Sequence, residues 1–294
     1  MISGKALSTI RTIAAGFAAV EADVVPTNQR DALKALRGKY PRLEPGHVWL
    51  VGAGPGDPGL LTLDALAALA QADVIVHDAL IDRRVLVLAG PQAQLEYVGK
   101  RGGQPSTQQT DICDRLIALA RAGHRVVRLK GGDPCVFGRG GEEGAALAHA
   151  AIPYRIIPGI TAGLAALTAA SIPATMRGVN HAIVFATGNA GPDEDIDWAA
   201  LARTGQPIVI YMAMRYIQRI AEALSRGGLA ADTPAAVIVA ATMAQERIVI
   251  SRLDRLADDV EATGVDLPGL IVVGDIVNER EKLLQIAAEV EVAR

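Results

Sequence analysis

The sequence predicts an α/β protein with two domains, each a mixed, largely parallel sheet flanked by helices. Three observations indicate this class. From His47 onward, short apolar runs such as "HVWLV" and "DVIVH" alternate with longer segments of helical periodicity such as "LLTLDALAALAQA". The pattern loosens over residues 168–181 and then begins again with "AIVFATG" and "PIVIYMAM". Glycine clusters follow several of the apolar runs, as expected where strands end in loops.

The same pattern sets the predicted domain bounds. The first residues are rich in Ala and Arg and end in Pro41 and Pro45, which favours short helices and a linker. We expect this appendage to pack on the domain surface or at a dimer contact. A cleft between two α/β domains is a favoured place for a ligand. The predicted parts are a helical appendage and linker (1–45), a first α/β domain (46–175), a second α/β domain (176–280) and a C-terminal tail (281–294).

Composition excludes several functional classes. Of the 294 residues, 50% are hydrophobic and 21% are charged, which is typical of a globular protein. A formal net charge of -3 and 3% aromatic residues provide no basis for binding nucleic acid. Cys113 and Cys135 form no C-x-x-C pair, and no apolar run reaches the ~18 residues of a membrane span. The short apolar piece "TIAAGFAAV" is followed by Glu21 and Asp23, so we expect a cytoplasmic protein rather than a secreted one.

A glycine-rich loop follows the first predicted strand. "GAGPGDPG" (52–59) contains the G-x-G-x-x-G spacing of dinucleotide-binding loops, and Asp78 stands near the distance at which an acid binds the ribose. However, Pro55 and Pro58 lie inside the pattern, and each removes an N–H group that would point at phosphate. The prolines therefore disfavour a nicotinamide oxidoreductase. A rigid turn without a ligand and a loop for another ligand stay open.

A second glycine cluster carries more information. "RLKGGDPCVFGRGGEEG" (128–144) again places Gly-Asp-Pro after a predicted strand. Two such turns at strand ends predict two loops that meet over one cleft. Glycines there allow a ligand to approach the backbone closely, and Asp133 offers an acceptor for a ligand hydroxyl or amine. Simple connecting turns explain one such loop well and two less well.

Several motifs together resemble a known family. In order and spacing, "VGAGPGDPGLLTLDAL", "HDALI", "GKRGG", "RLKGGDPCVFGRGGEE", "IPGITAGLAA" and "IVIYM" are similar to the uroporphyrinogen-III C-methyltransferases, which are tetrapyrrole (precorrin) methylases. The resemblance covers about residues 47–278. It implies the two-domain tetrapyrrole methylase fold of the class III S-adenosylmethionine (SAM) methyltransferases, with SAM in the inter-domain cleft.

The resemblance also implies an activity. Such an enzyme methylates uroporphyrinogen III at C2 and C7, through precorrin-1, to give precorrin-2 for sirohaem or cobalamin synthesis. It would work without a metal, as a cytoplasmic homodimer. Two related alternatives stay open, namely a later precorrin methyltransferase and a SAM-binding regulator without catalytic activity.

Roles for individual residues follow from the resemblance. Asp78 and Lys100 match positions that accept and donate a proton. Candidates for the substrate carboxylates are Arg101, Arg139 and Arg177, with Arg128 in addition, because arginine forks match carboxylates well. Glu142, in the same glycine-rich turn as Arg139, is a further substrate-binding candidate that would face the tetrapyrrole. The SAM-binding candidates are Pro55, Gly131, Gly132, Asp133, Val136, Thr161, Ala162, Met212 and Ala241.

The residues alone leave simpler interpretations open. These are a turn residue or helix cap for Asp78, a solvated loop charge for Lys100, core packing for Met212 and a first-turn helix acid for Glu142. The sequence also departs from the family. Met176 and Asn189 replace usual histidines, Cys135 a usual phenylalanine and Ala241 a usual glycine. These departures concern the expected tetrapyrrole-facing wall and hence the position that is methylated.

Overall fold

The structure is a computed structural model that describes residues 40–99, 108–189, 196–265 and 268–292. From Arg42 onward, the described residues belong to one compact unit with two five-stranded sheets. Most of the predicted appendage, together with Lys100 and Arg101, lies outside the described residues. Within the described ranges, no helix has both the length and the apolar character needed to span a membrane.

The first sheet is parallel throughout, with the strand order β3-β2-β4-β1-β5. Two central strands, β1 and β4, are buried along their whole length, which explains their mostly apolar sequences. Because all five strands point the same way, the loops after them meet at one edge of the sheet. The strands are β1 (Val48–Gly52), β2 (Val74–His77), β3 (Gln94–Tyr97), β4 (Val126–Lys130) and β5 (Tyr154–Ile157).

The second sheet is mixed, with the order β6-β7-β10-β8-β9. Only β6 and β7 pair in parallel, and the other three pairs are antiparallel. The expected dominance of parallel pairing thus holds for the first sheet and not for the second. For β8 and β9 the reason is connection length, since residues 240–246 between them are too few for a crossover helix. The strands are β6 (Val184–Thr187), β7 (Ile208–Tyr211), β8 (Pro234–Val239), β9 (Arg247–Arg252) and β10 (Gly269–Val273).

Helices cover the sheets and extend past the last strand. Short 3-10 turns occur at Pro58–Leu60, Met214–Tyr216 and Asp275–Asn278. The described helices are α1 (Leu63–Gln71), α2 (Arg83–Leu86), α3 (Gln109–Arg121), α4 (Gly140–His149), α5 (Ala162–Ala169), α6 (Trp198–Arg203), α7 (Ile217–Arg226), α8 (Leu256–Glu261) and α9 (Glu279–Val292). The predicted C-terminal tail therefore falls on α9.

Helix α5 connects the two halves of the fold. It precedes the predicted domain boundary at residue 175, yet its buried Ala166 and Leu167 share a core cluster with Val209 and Val272 of the second sheet. The chain therefore already packs on the second sheet soon after β5. The exact domain bounds stay a prediction.

Candidate active site

Three loops of the first sheet meet at its C-terminal edge. Gly54 and Gly132 form an isolated antiparallel bridge, with N–H to O distances of 3.1 Å and 2.7 Å. Gly159, after β5, lies so close that a Cβ atom there would overlap the carbonyl oxygen of Gly132. Glycine is therefore required where these backbones touch. The prediction that the two Gly-Asp-Pro loops meet is confirmed.

Asp133 fastens two of these loops together. Its Oδ1 accepts a hydrogen bond from the Cys135 N–H at 2.8 Å, and its Oδ2 accepts one from the Gly159 N–H at 3.1 Å. The carboxylate thus has a structural role that sequence reasoning did not assign to it. Each oxygen keeps a second lone pair, so the fixed negative charge remains available to a ligand.

Loops of the second sheet reach the same region. The Asp57 N–H donates to Thr242 Oγ1 at 3.3 Å, which joins the loop after β1 to the loop after β8. Tyr211, at the end of β7, holds Thr161 Oγ1 and the Gly163 N–H, each at 2.9 Å from its hydroxyl oxygen. The structure therefore brings together the loops that carry all nine predicted SAM-binding residues, although the Thr161 hydroxyl is engaged by Tyr211.

Unusual backbone conformations are concentrated in these loops. Positive φ angles occur at Phe137 (52°), Arg139 (59°), Met212 (55°), Ala240 (48°) and Thr242 (69°). Such conformations cost free energy in residues other than glycine and persist where the surrounding structure imposes them, often at functional sites. Met212 is 49% exposed, so the simpler interpretation of it as a core residue is wrong.

Asp78 follows β2 at the same edge. Its Oδ1 accepts from the Leu80 N–H at 3.1 Å, and its Oδ2 accepts from Arg128 Nη2 at 3.2 Å. The side chain remains 27% exposed. Asp78 is therefore a turn residue, as the simpler interpretation held, and it also presents a partly open carboxylate beside the loops.

Arg128 belongs to a buried charged cluster. Glu143 Oε1 accepts hydrogen bonds from Arg128 Nε at 3.2 Å, from Lys130 Nζ at 2.8 Å and from Gln109 Nε2 at 3.0 Å. The pKa of Lys130 is lowered, first by burial and then by the charge of Arg128. The Arg128 guanidinium also donates to the carbonyl of Leu129, so this fork is engaged inside the protein rather than presented to a substrate.

The predicted substrate-binding residues are not all in one place. Arg139 and Glu142 form a bidentate pair at the start of α4, with distances of 2.8 Å and 2.6 Å, and both are exposed. This contact to Arg139 lowers the pKa of Glu142. Arg177 is exposed on a separate loop between α5 and β6, which the buried Asn180 closes by bonding to the Met176 N–H.

Sequence reasoning missed Glu143, Lys130, Gln109 and Tyr211 as parts of this arrangement. A signal for Glu143 was present, because the buried positions of α4 are Gly140, Glu143, Gly144 and Leu147. That spacing is the apolar stripe of an amphipathic helix, and an acid within it requires a buried partner.

The residues present fit a SAM molecule. Large apolar side chains are exposed in the loops after β2, β4, β5 and β7, at Leu80, Phe137, Ile160 and Met212. They offer contact surface for flat rings, while Asp133 supplies a fixed negative charge for a cationic group. Among the described residues, no group of three or more His, Cys, Asp or Glu side chains is arranged to hold a metal ion.

Comparisons with known proteins agree with this geometry. Residues 47–257 match the model of the tetrapyrrole (corrin/porphyrin) methylases. A uroporphyrinogen-III C-methyltransferase of Sinorhizobium sp is 53% identical over 84% of this chain and 90% of its own length.

Two solved structures have the same fold. The uroporphyrin-III C-methyltransferase of Thermus thermophilus, complexed with S-adenyl homocysteine, has a TM-score of 0.69 and 39% identity over 79% of this chain and 99% of its own. A cobalt precorrin-4 methyltransferase has a TM-score of 0.72 and 25% identity over 82% of this chain and 99% of its own. With the matched family model and this level of identity, the chain belongs to the tetrapyrrole (corrin/porphyrin) methylases.

Proposed function

We propose that this protein is a SAM-dependent C-methyltransferase that methylates uroporphyrinogen III at C2 and C7 to give precorrin-2. One observation carries the proposal. Loops of both sheets converge on one region that combines glycine backbone, exposed apolar side chains and the carboxylates of Asp78 and Asp133. Family membership and the activity named for the Sinorhizobium relative support the same function. On the same basis we propose a cytoplasmic homodimer.

SAM, when bound, supplies a methyl group carried on a positively charged sulfur. The nine predicted SAM-binding residues would hold it largely through backbone atoms, because most of them are small or apolar. The Asp133 carboxylate, fixed by two N–H groups, supports this assignment because it attracts a cationic group. The protein's main contribution is to hold donor and acceptor at close range, which removes much of the entropic barrier.

Asp78 is the proposed proton acceptor. Methylation of a pyrrole carbon leaves a proton to be removed, and a partly open carboxylate is suited to receive it. The Leu80 N–H and the Arg128 guanidinium hold this carboxylate at the edge of the sheet. Lys100 is the proposed proton donor, although it lies outside the described residues.

Arg101, Arg139 and Arg177 are the proposed contacts to the substrate carboxylates, and Glu142 is proposed to face the tetrapyrrole beside Arg139. An arginine fork binds carboxylates with two parallel hydrogen bonds, and Arg139 already holds Glu142 in this way. A substrate carboxylate would take over this fork from Glu142. The exposure of the pair makes such an exchange accessible.

The test is an anaerobic incubation with uroporphyrinogen III and methyl-labelled SAM, followed by mass analysis of the oxidised product. We expect two added methyl groups and sirohydrochlorin after oxidation. SAM binding without methyl transfer to uroporphyrinogen III would contradict the proposal, and the same assay with later precorrins would then follow.

A later precorrin methyltransferase is the second candidate. The precorrin-4 methyltransferase structure has a slightly higher TM-score than the uroporphyrin enzyme, although its identity is much lower. Met176, which replaces a usual histidine, is 36% exposed in the loop that carries Arg177 and would alter the substrate-facing wall. Methylation of a later precorrin, with none of uroporphyrinogen III, would favour this candidate.

A further inference from the structure

A buried charged cluster lies behind Asp78, and only its Arg128 has a part in the mechanism above. It contains Arg128, Lys130 and Glu143, whose side chains are 4%, 5% and 0% exposed. Arg128 and Lys130 stand two residues apart on β4 and therefore project from the same face of the sheet. Helix α4 covers this face and brings Glu143 to both cations, while Gln109 of α3 donates to the same oxygen.

Arg128 connects this cluster to the candidate proton acceptor. Its Nε donates to Glu143 Oε1, and its Nη2 donates to Asp78 Oδ2, both at 3.2 Å. A guanidinium is planar and rigid, so a bond that fixes one side of the fork also fixes the other. The Asp78 carboxylate is therefore connected to Glu143 through Arg128, whose Nη1 also donates to the carbonyls of Val76 and Leu129.

The charges of the cluster also depend on Glu143. Arg128 and Lys130 carry two positive charges, and Asp78 and Glu143 carry two negative charges, so the connected group is formally neutral. Without Glu143, both buried cations would be balanced by Asp78 alone. Glu143 therefore shares with Asp78 the balancing of these two buried cations.

Stability does not explain the buried acid well. Within the part of the chain that the structure describes, Glu143 Oε2 is buried and receives no hydrogen bond. An unsatisfied buried oxygen costs free energy, and buried ionic clusters are often no more stable than apolar packing of the same volume. A functional role for Glu143 accounts for this arrangement better.

We propose that Glu143 is a positioning residue, which acts through Arg128 to orient and balance the Asp78 carboxylate for proton acceptance. This inference rests on the proposed function, because Asp78 has a proton to accept only if methyl transfer takes place at this site.

The test is a double-mutant cycle on kcat for methyl transfer to uroporphyrinogen III. Glu143→Gln is made in the wild-type protein and in Asp78→Asn. In the wild-type background we expect kcat to fall about tenfold, which is less than the ~10²–10⁴-fold contribution of the proton-transfer group that Glu143 positions. The KM for uroporphyrinogen III and the Kd for SAM should change less than about twofold. In the Asp78→Asn background, Glu143→Gln should have almost no further effect, because residues that act as a unit are not additive.

Glu279→Gln provides the matched control. Glu279 is also a buried acid bound to a lysine, being 5% exposed with Lys282 Nζ at 2.6 Å. It follows β10, which runs antiparallel to β7 and β8, so it lies at the opposite edge of the second sheet from Met212. We expect this variant to lose stability and to keep the wild-type kcat.

Several results would overturn the inference. An unchanged kcat in Glu143→Gln would do so, as would an equal fall in both backgrounds, since Glu143 would then act independently of Asp78. If Glu143→Gln does not fold, Glu143→Asp keeps the charge and retracts the carboxylate by about 1.5 Å, one carbon–carbon bond. A wild-type kcat in that variant would equally exclude the role. A wild-type protein that transfers no methyl group would overturn the proposed function itself, and this inference with it.

Discussion

Glu142 and Glu143 are neighbours in sequence, and the structure gives them opposite environments. Glu142 pairs with Arg139 at the surface, where the two side chains are 56% and 54% exposed. Glu143 is fully buried against Arg128 and Lys130. Water screens the first pair and lets it exchange partners, whereas the second pair has no solvent to replace a lost charge. Burial, rather than the number of ion pairs, therefore determines which acid the fold depends on.

The largest expected effect is a difference in stability between variants of Glu143 and Glu142. Glu143→Ala should lower the free energy of unfolding by about 3–5 kcal/mol, because it leaves two buried cations without their carboxylate. Glu142→Ala should cost only about 0.2–1 kcal/mol, as is usual for an exposed ion pair. Urea denaturation of both variants would measure this difference. Equal losses of unfolding free energy in the two variants would show that burial does not determine how much each acid contributes to stability.

Asp133 provides an intermediate case, because its partly buried carboxylate holds backbone N–H groups rather than cations. Asp133→Asn should cost about 1.5–3 kcal/mol of stability, the usual contribution of a hydrogen bond to a charged group. It should also weaken SAM binding, which calorimetry would measure. A loss of stability with unchanged SAM affinity would leave Asp133 with a structural role only.

A substitution of Arg139 tests whether the exposed ion pair with Glu142 has a role in substrate binding. Arg139→Ala should raise the KM for uroporphyrinogen III about tenfold, equivalent to ~1.4 kcal/mol, by removing one carboxylate contact. The Kd for SAM and the midpoint of unfolding should stay near the wild-type values, because the pair is exposed. Steady-state kinetics with each substrate varied in turn would show this. A selective loss of SAM binding would instead place Arg139 on the cofactor side.

The smallest expected effect is a pH dependence of stability that arises from the buried Lys130. Burial, followed by the charge of Arg128, lowers the pKa of Lys130 in the folded protein. Between this lowered pKa and the ordinary lysine value, the unfolded chain binds a proton that the folded chain has released. Stability therefore rises with pH in that window.

Lys130→Met removes this group and should flatten the pH dependence. As the pH rises toward the ordinary lysine pKa of about 10.4, we expect the unfolding free energy of the wild type to rise relative to that of Lys130→Met. Urea denaturation across this range would measure the gain. The matched control is Lys282→Met at an exposed lysine, which should follow the wild-type curve. A constant difference between wild type and Lys130→Met would contradict the expectation.

The sequence by itself determined the α/β class and the convergence of its loops. Strand and helix periods are local, so "VWLVG" and "VVRLK" could be identified as buried strands, and the two Gly-Asp-Pro turns as loops that meet. The two prolines also disfavoured a phosphate-binding role for the first glycine loop. The roles of the individual site residues stay predictions.

Only the tertiary structure decided the strand directions of the second sheet and the different partners of Glu142 and Glu143. Pairing direction in a mixed sheet depends on which strands become neighbours, and β10 inserts between β7 and β8 from far along the chain. Likewise, "GGEEG" does not state which cations a buried glutamate of α4 meets. That choice follows from how α4 packs on the sheet, because burial and charge balance are properties of neighbours brought together by folding.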